Sequence, residues 1–259
     1  MGVRQSIDTG LRTLVCLIVL PASLVVYGLR VMFLAFRGAP RTRIDRMYNS
    51  FAGFCVRVAG TKVETHGFEN IEPGRAYVIV PNHESSWDPI ALMAVLKQLS
   101  VRFIVKKALM QIPIFGDALR ASGNVTVVRT NTLGDVQRIQ EGMQERNPDV
   151  SILFYAEGTR ARDGSLRPFK KGAFATAICE GLPILPVATA GTYPIWTPEI
   201  IRIRKGTVVI EVGEPISVEG LPLEARDKLR EQTENAVREL RARARRRLRA
   251  LGLDPGGVD

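Results

Sequence analysis

The sequence alternates short β-branched runs with longer helix-patterned segments, and this alternation limits the folds open to the chain more than any other feature. The strand-like runs are residues 63–66, 77–80, 101–105, 125–128, 151–155, 184–188 and 208–212. The helix-patterned segments that separate the later runs are residues 89–99, 132–147 and 171–181. Strands that alternate with helices place those helices on the faces of a sheet. The pattern therefore predicts an α/β fold with a single mixed sheet and flanking helices.

An apolar segment precedes this domain. Residues 13–29 carry no charge and would form about 25 Å of helix, which is short of a ~30 Å hydrocarbon core. Pro21 lies inside the segment, where proline kinks or breaks a helix, and arginines flank the segment on both sides. We expect residues 1–40 to form a helical hairpin, hinged near Pro21, that dips into the cell membrane from its cytoplasmic face. A cleaved signal peptide is the alternative, but the apolar pattern continues past any small-residue cleavage site.

The end of the chain, residues 222–259, is a basic helix with a short tail. Residues 238–249 hold seven arginines and one glutamate, in a chain whose net charge is +10. A solvated helix face is one interpretation of these arginines, and attraction to anionic lipid head groups is the other. Nucleic-acid binding is disfavoured, because no aromatic residues are interleaved with the arginines. Residues 41–221 remain as the α/β domain.

A histidine and an aspartate lie on the connection that follows the run 77–80. The run ends at a Pro-Asn pair, so His83 lies in the turn beyond the strand, and Asp88 precedes Pro89 at the predicted start of a helix. A carboxylate on one ring nitrogen of a histidine fixes its tautomer and leaves the other nitrogen as a general base. The alternative is that Asp88 only caps the helix. A zinc-protease helix would need a second histidine where Trp87 stands, so we expect no metal.

The string Asn-His-x4-Asp-Pro that starts at Asn82 resembles the first motif of the glycerolipid acyltransferases, the lysophosphatidic acid acyltransferase family. Four further blocks resemble this family in the same order, at residues 105–113, 123–129, 154–160 and 182–187. The resemblance implies an enzyme of phospholipid biosynthesis that esterifies the 2-hydroxyl of lysophosphatidic acid. The acyl group would come from acyl-CoA or acyl carrier protein, the product would be phosphatidic acid, and no cofactor would be needed.

The resemblance also implies roles for individual residues. His83 would remove the proton of the attacking hydroxyl, and Asp88 would orient His83. The residues implied in substrate binding are Asn82, Lys106, Arg129, Glu157, Gly158, Thr159 and Arg160. Arg160 is the candidate for the acceptor phosphate, because a guanidinium binds phosphate in a bidentate way. The chain departs from the family pattern at Ala156, where proline is usual, and at Thr126, where an aromatic residue is common.

These interpretations name the expected partners. They are lysophosphatidic acid, acyl-CoA or acyl carrier protein, and anionic membrane lipids, with no nucleic acid. One alternative is a related acyltransferase with another lysophospholipid or an aminolipid as acceptor. A second alternative, of a different class, is a non-catalytic protein that binds the membrane surface.

Overall fold

The computed structural model describes residues 3–127, 147–197 and 202–258. Its helices are α1 (Val3–Phe36), α2 (Arg41–Ala59), α3 (Asp88–Val95), α4 (Lys107–Met110), α5 (Phe115–Ala121), α6 (Gly172–Glu180) and α7 (Arg226–Ala250). Its strands are β1 (Thr61–His66), β2 (Val78–Pro81), β3 (Ser100–Lys106), β4 (Val125–Val127), β5 (Val150–Leu153), β6 (Ile184–Ala190) and β7 (Gly206–Val212). Every strand-like run overlaps one of these strands, and position 128 lies outside the described residues. The helix predicted at 132–147 lies outside the described residues, apart from its last position.

The seven strands form one sheet in the order β1-β7-β6-β2-β5-β3-β4. Neighbouring strands are parallel except β6 and β7, which are antiparallel, so the predicted mixed sheet is confirmed. The central strands β2, β5 and β6 are buried at every position, which is why their sequences are continuous apolar runs. Because β2, β5 and β3 are parallel, the loops that follow them leave from one edge of the sheet.

Two apolar layers cover the faces of the sheet. Ile79 packs into the layer that contains α2 and α3, whereas Val78 and Val80 pack into the layer that contains α6 and α7. Successive residues of a strand point to opposite faces, so one short run serves both layers. This double burial fixes β2 in the centre of the domain and fixes the position from which the next loop leaves.

The N-terminal segment differs from the predicted hairpin hinged at Pro21. Helix α1 continues through Pro21, and the chain reverses only at residues 37–40, so α1 and α2 form the hairpin. Contacts hold α1 on both sides of the proline: Cys16 is buried in the core, and a Cβ at Gly28 would lie 2.9 Å from Cγ2 of Ile114. This packing outweighs the one backbone hydrogen bond that Pro21 cannot make. The stretch Asp8–Phe36 is long and apolar enough to cross a membrane.

Helix α7 packs against β6 and β7 and contributes to the core. Its buried apolar residues are Leu229, Val237, Leu240, Ala244 and Leu248. Two of its arginines are buried as well: Arg241 donates to the carbonyls of Gly164 and Val258, and Arg245 donates to the carbonyl of Gly256. Neither sequence interpretation of the basic segment describes these two arginines, which satisfy main-chain carbonyls inside the protein.

Candidate active site

The loop between β2 and α3 brings His83 and Asp88 together. Nδ1 of His83 lies 2.8 Å from Oδ2 of Asp88, whose side chain is fully buried. The same oxygen accepts hydrogen bonds from the main-chain N–H groups of Glu84 and Ser85, each at 2.8 Å. With Nδ1 engaged, Nε2 is the ring nitrogen that can take a proton from a substrate. The predicted histidine–carboxylate pair is confirmed as a contact.

The simpler interpretation of Asp88 as a helix cap does not describe its contacts. The N-cap of α3 is Trp87, and no side chain caps this helix end. The carboxylate of Asp88 instead faces back toward the loop that carries His83. Its burial and its donors therefore hold the carboxylate against the imidazole.

Tyr155 covers the imidazole of His83. The two ring centroids are 3.8 Å apart and the ring planes differ by 23°, which is a stacked arrangement. The hydroxyl of Tyr155 is buried and has no hydrogen-bond partner among the described residues. Burial raises the pKa of Tyr155 well above its usual value, and the charges of Asp88 and Glu157 act in the same direction. Sequence reasoning missed this neutral ring, although its position at the end of a strand-like run was a usable signal.

Glu157 joins the loop after β5 to the loop after β2. Its Oε1 accepts a hydrogen bond from the main-chain N–H of His83 at 2.5 Å, and its Oε2 accepts one from the main-chain N–H of Arg167 at 2.9 Å. Burial raises the pKa of Glu157 to about 8, against the lowering effect of these two donors. Both oxygens are engaged within the protein, so the contacts of Glu157 position the His83 turn.

Gly158 makes the turn that follows Glu157 possible. Its φ of +75° lies in the left-handed region, and its N–H donates to the carbonyl of Tyr155 at 2.9 Å. A Cβ at this position would lie 2.9 Å from Cε of Lys170. Glycine is therefore required by the backbone conformation, whereas the end of the flexible Lys170 side chain can move to make room.

Arg160 extends from the same loop to the loop that carries His83. Its Nη1 donates a hydrogen bond to Oγ of Ser86, and within the described part of the chain it forms no ion pair with a carboxylate. Arg160 lines a cavity of ≈ 450 Å³ whose charged lining residues are Arg160, Arg162, Asp163 and Arg167. Three guanidinium groups against one carboxylate give a surface that favours an anionic ligand.

The comparisons with known proteins agree with this geometry. A family model described as acyltransferase matches residues 62–190. The 1-acyl-sn-glycerol-3-phosphate acyltransferase of Pseudomonas aeruginosa is 31% identical to this chain over 239 residues, which are 90% of this chain and 91% of that protein. The chain belongs to the acyltransferase family. A relative of the same name from Limnanthes douglasii is 26% identical over 222 residues, which are 84% of this chain and 77% of that protein.

A solved structure gives the same result for the fold of this acyltransferase family member. The crystal structure of the 1-acyl-sn-glycerophosphate (LPA) acyltransferase PlsC from Thermotoga maritima matches with a TM-score of 0.73 at 26% identity. The match covers 91% of this chain and 97% of that one. The resemblance drawn from the sequence motifs is confirmed.

Asn82 has contacts that differ from its expected role in substrate binding. It is 2% exposed; its Nδ2 donates to the carbonyl of Thr189 at 3.0 Å, and its Oδ1 accepts from the N–H of Thr189 at 2.7 Å. The amide therefore joins β2 to β6 and does not face the cavity. These two hydrogen bonds satisfy a buried polar side chain, and the role of Asn82 in substrate binding stays a prediction.

The remaining predicted site residues lie at different distances from the pair. Thr159 is exposed and lines the cavity with Arg160. Lys106 ends β3 at the same edge of the sheet as His83 and is exposed. Arg129 lies outside the described residues.

Proposed function

We propose that this protein transfers a fatty acyl group from an acyl thioester to the 2-hydroxyl of lysophosphatidic acid and so forms phosphatidic acid. The observation that carries the proposal is the contact between His83 and the buried Asp88, on a loop that Ser86 joins to Arg160 of the arginine-lined cavity. The high coverage of the relatives named 1-acyl-sn-glycerol-3-phosphate acyltransferase supports the choice of acceptor.

The chemistry follows from the ring nitrogen that remains available. Nε2 of His83 takes the proton of the acceptor hydroxyl while the hydroxyl oxygen forms a bond to the thioester carbonyl carbon. The tetrahedral intermediate collapses, the carbon–sulfur bond breaks, and the imidazolium returns the proton to the leaving thiolate. Asp88 stays anionic and stabilises the imidazolium that forms in between. The acceptor attacks directly, so no acyl–enzyme intermediate is part of this mechanism.

The acceptor phosphate binds in the cavity beside the pair. Arg160 lines this cavity and also contacts the His83 loop through Ser86, so it connects a phosphate held there to the loop that carries the pair. A guanidinium forms two parallel hydrogen bonds with a phosphate, which orients the acceptor as well as binding it. Acyl-CoA or acyl carrier protein supplies the thioester.

We place α1 on the membrane surface, and not across the bilayer. Its outer face exposes the apolar residues Leu11, Leu14, Leu17, Ile18, Val25, Val26, Leu29, Phe33 and Phe36. Its inner face is attached to the α/β domain at two separate points: the N–H of Ile203 donates to Oγ1 of Thr13 at 3.1 Å, and Gly28 packs against Ile114. A helix tied to the domain at both points can immerse one face in lipid without entering the bilayer end-on.

Anionic lipid head groups bind next to this apolar face. Arg30, Arg43 and Arg46 line a cavity of ≈ 410 Å³ together with apolar residues of α1 and α2, and no acidic residue is among its lining residues. Replacing these three arginines with glutamine should weaken binding to vesicles that contain phosphatidylglycerol, and should leave binding to phosphatidylcholine vesicles nearly unchanged. The matched control replaces three exposed arginines of α7, Arg238, Arg246 and Arg249, with glutamine. A larger loss in that control would assign lipid binding to the C-terminal helix.

Mass spectrometry of the products tests the proposed reaction. The purified protein is given an acyl thioester together with lysophosphatidic acid, other lysophospholipids and an aminolipid. Phosphatidic acid should be the main product, and His83→Ala should form none. The matched control is His66→Ala, which removes the other histidine of the chain. Preferred acylation of another acceptor would replace the proposed substrate, and no product from any acceptor would remove the proposed activity.

A further inference from the structure

A second buried carboxyl group lies behind the catalytic pair. Glu84 follows His83 in the chain, is 1% exposed, and its Oε1 lies 3.0 Å from Oγ1 of Thr192. The same hydroxyl of Thr192 contacts Oδ1 of Asp88. One hydroxyl group therefore lies between two buried carboxyl groups.

The number of hydrogen atoms available for these two contacts determines the protonation state of the two carboxyl groups. A threonine hydroxyl has one hydrogen to donate and can accept through its lone pairs. If Glu84 and Asp88 were both anions, one of the two contacts would set a lone pair of Thr192 against a buried negative charge, which is unfavourable. If one of the two is the neutral acid, that acid donates to Thr192, Thr192 donates to the other, and both contacts are hydrogen bonds.

Asp88 is the anion of the two. Its Oδ2 receives three donors, namely Nδ1–H of His83 and two main-chain N–H groups at 2.8 Å. Glu84 receives one main-chain N–H, that of Tyr193 at 3.4 Å. Its Oε2 is at ion-pair distance from Nε of Arg241, 3.8 Å, but this is too long for a hydrogen bond. Burial and the charge of Asp88 raise the pKa of Glu84 to about 7, against the opposite effect of Arg241. The donors and the electrostatics agree.

We propose that Glu84 is held as the neutral acid and acts as a positioning residue for catalysis. Its O–H donates to Thr192, Thr192 donates to Oδ1 of Asp88, and the other oxygen of Asp88 stays on Nδ1 of His83. The chain of hydrogen bonds fixes the rotamer of Asp88 and keeps a second negative charge away from the imidazole. Its kinetic test rests on the proposed acyl transfer, whereas the protonation state of Glu84 is measured without that activity.

Two pairs of variants separate this role from general packing. Glu84→Leu and Thr192→Val remove the donors, so kcat should fall about tenfold while the acceptor KM changes by less than about twofold. Glu84→Gln and Thr192→Ser keep a donor at the same position and should retain at least about a third of kcat. The control is Thr233→Val: Thr233 is equally buried, on α7, and its hydroxyl donates to the carbonyl of Leu229 at 2.8 Å.

Infrared spectroscopy measures the protonation state of Glu84 directly. The difference spectrum between the parent protein and Glu84→Gln at pH 6 should contain the carbonyl stretch of a protonated carboxyl group, shifted in heavy water. A difference spectrum without this band overturns the proposal. So does a Glu84→Gln variant that loses as much kcat as Glu84→Leu, or a Thr192→Val variant that keeps the kcat of Thr233→Val. Absence of acyl transfer in the parent protein would overturn the proposed function. The infrared band would then still test whether Glu84 is protonated.

Discussion

Replacing Arg160 with alanine tests how the acceptor is recognised. The guanidinium lines the anion-favouring cavity, contacts Ser86 on the His83 loop, and forms no described ion pair with a carboxylate. Glu157 has both oxygens on main-chain N–H groups, and Oδ1 of Asp163 accepts from the N–H of Ser165. These two acidic side chains are thus engaged elsewhere, and among the described residues Arg160 has no carboxylate partner that would compete with a ligand.

The size of the effect follows from these contacts. A charge-assisted hydrogen bond between a guanidinium and a phosphate, in a site partly shielded from water, contributes about 2 kcal/mol. Its loss corresponds to roughly a thirtyfold rise in the acceptor KM. Arg160→Lys should recover only part of the loss, because an ammonium keeps the charge but not the bidentate geometry. His83 and Asp88 are untouched, so slow hydrolysis of the thioester, where the parent shows it, should persist.

The assay compares two acceptors, lysophosphatidic acid and monoacylglycerol, which lacks the phosphate. Arg160→Ala should lose discrimination between them. Arg75→Ala is the control, because Arg75 lies before β2, at the opposite end of the strand from His83, and pairs with Glu72 on the surface. Equal proportional losses on both acceptors, with a lowered melting temperature, would refute phosphate binding and assign Arg160 to the stability of the loop.

Three further changes test the rest of the site. Asp88→Asn should lower kcat by at least about a hundredfold through the wrong imidazole tautomer, with the donor KM nearly constant; a loss below tenfold would contradict the role of Asp88. Gly158→Ala should lower the free energy of unfolding by about 1–2 kcal/mol in urea denaturation, because φ is +75°; an unchanged midpoint would count against this strain. The pKa of Glu84 is about 7 in the folded protein, against an ordinary value of 4.5. The neutral acid therefore stabilises the folded protein fully below pH 4.5, and this stabilisation is lost as the pH rises through 7. Relative to the parent, Glu84→Gln should therefore gain up to about 3 kcal/mol between pH 4.5 and 8, and a pH-independent difference would argue against a neutral Glu84.

The sequence by itself determined the features that depend on neighbouring residues. The strands β2, β5 and β6 were predictable because a strand buried on both faces is a continuous apolar run. The His83–Asp88 contact was predictable because both residues lie on one short connection between a strand and a helix. Gly60 was also predictable as the end of α2, where it adopts the left-handed conformation with φ of 67°.

The tertiary structure alone decided which distant residues meet. Glu157 contacts the main chain of His83 across 74 residues, and Thr192 contacts Asp88 across 104 residues. The tertiary structure also decided four other features: the order of the strands, the antiparallel pairing of β7, the packing of α1 on both sides of Pro21 and the burial of two arginines of α7. The periodicity of a segment shows which of its faces is buried, but the partner of that face depends on the free energy of the whole packed chain. The contacts of Glu157 and Thr192 with the His83–Asp88 loop therefore could not be predicted from the sequence.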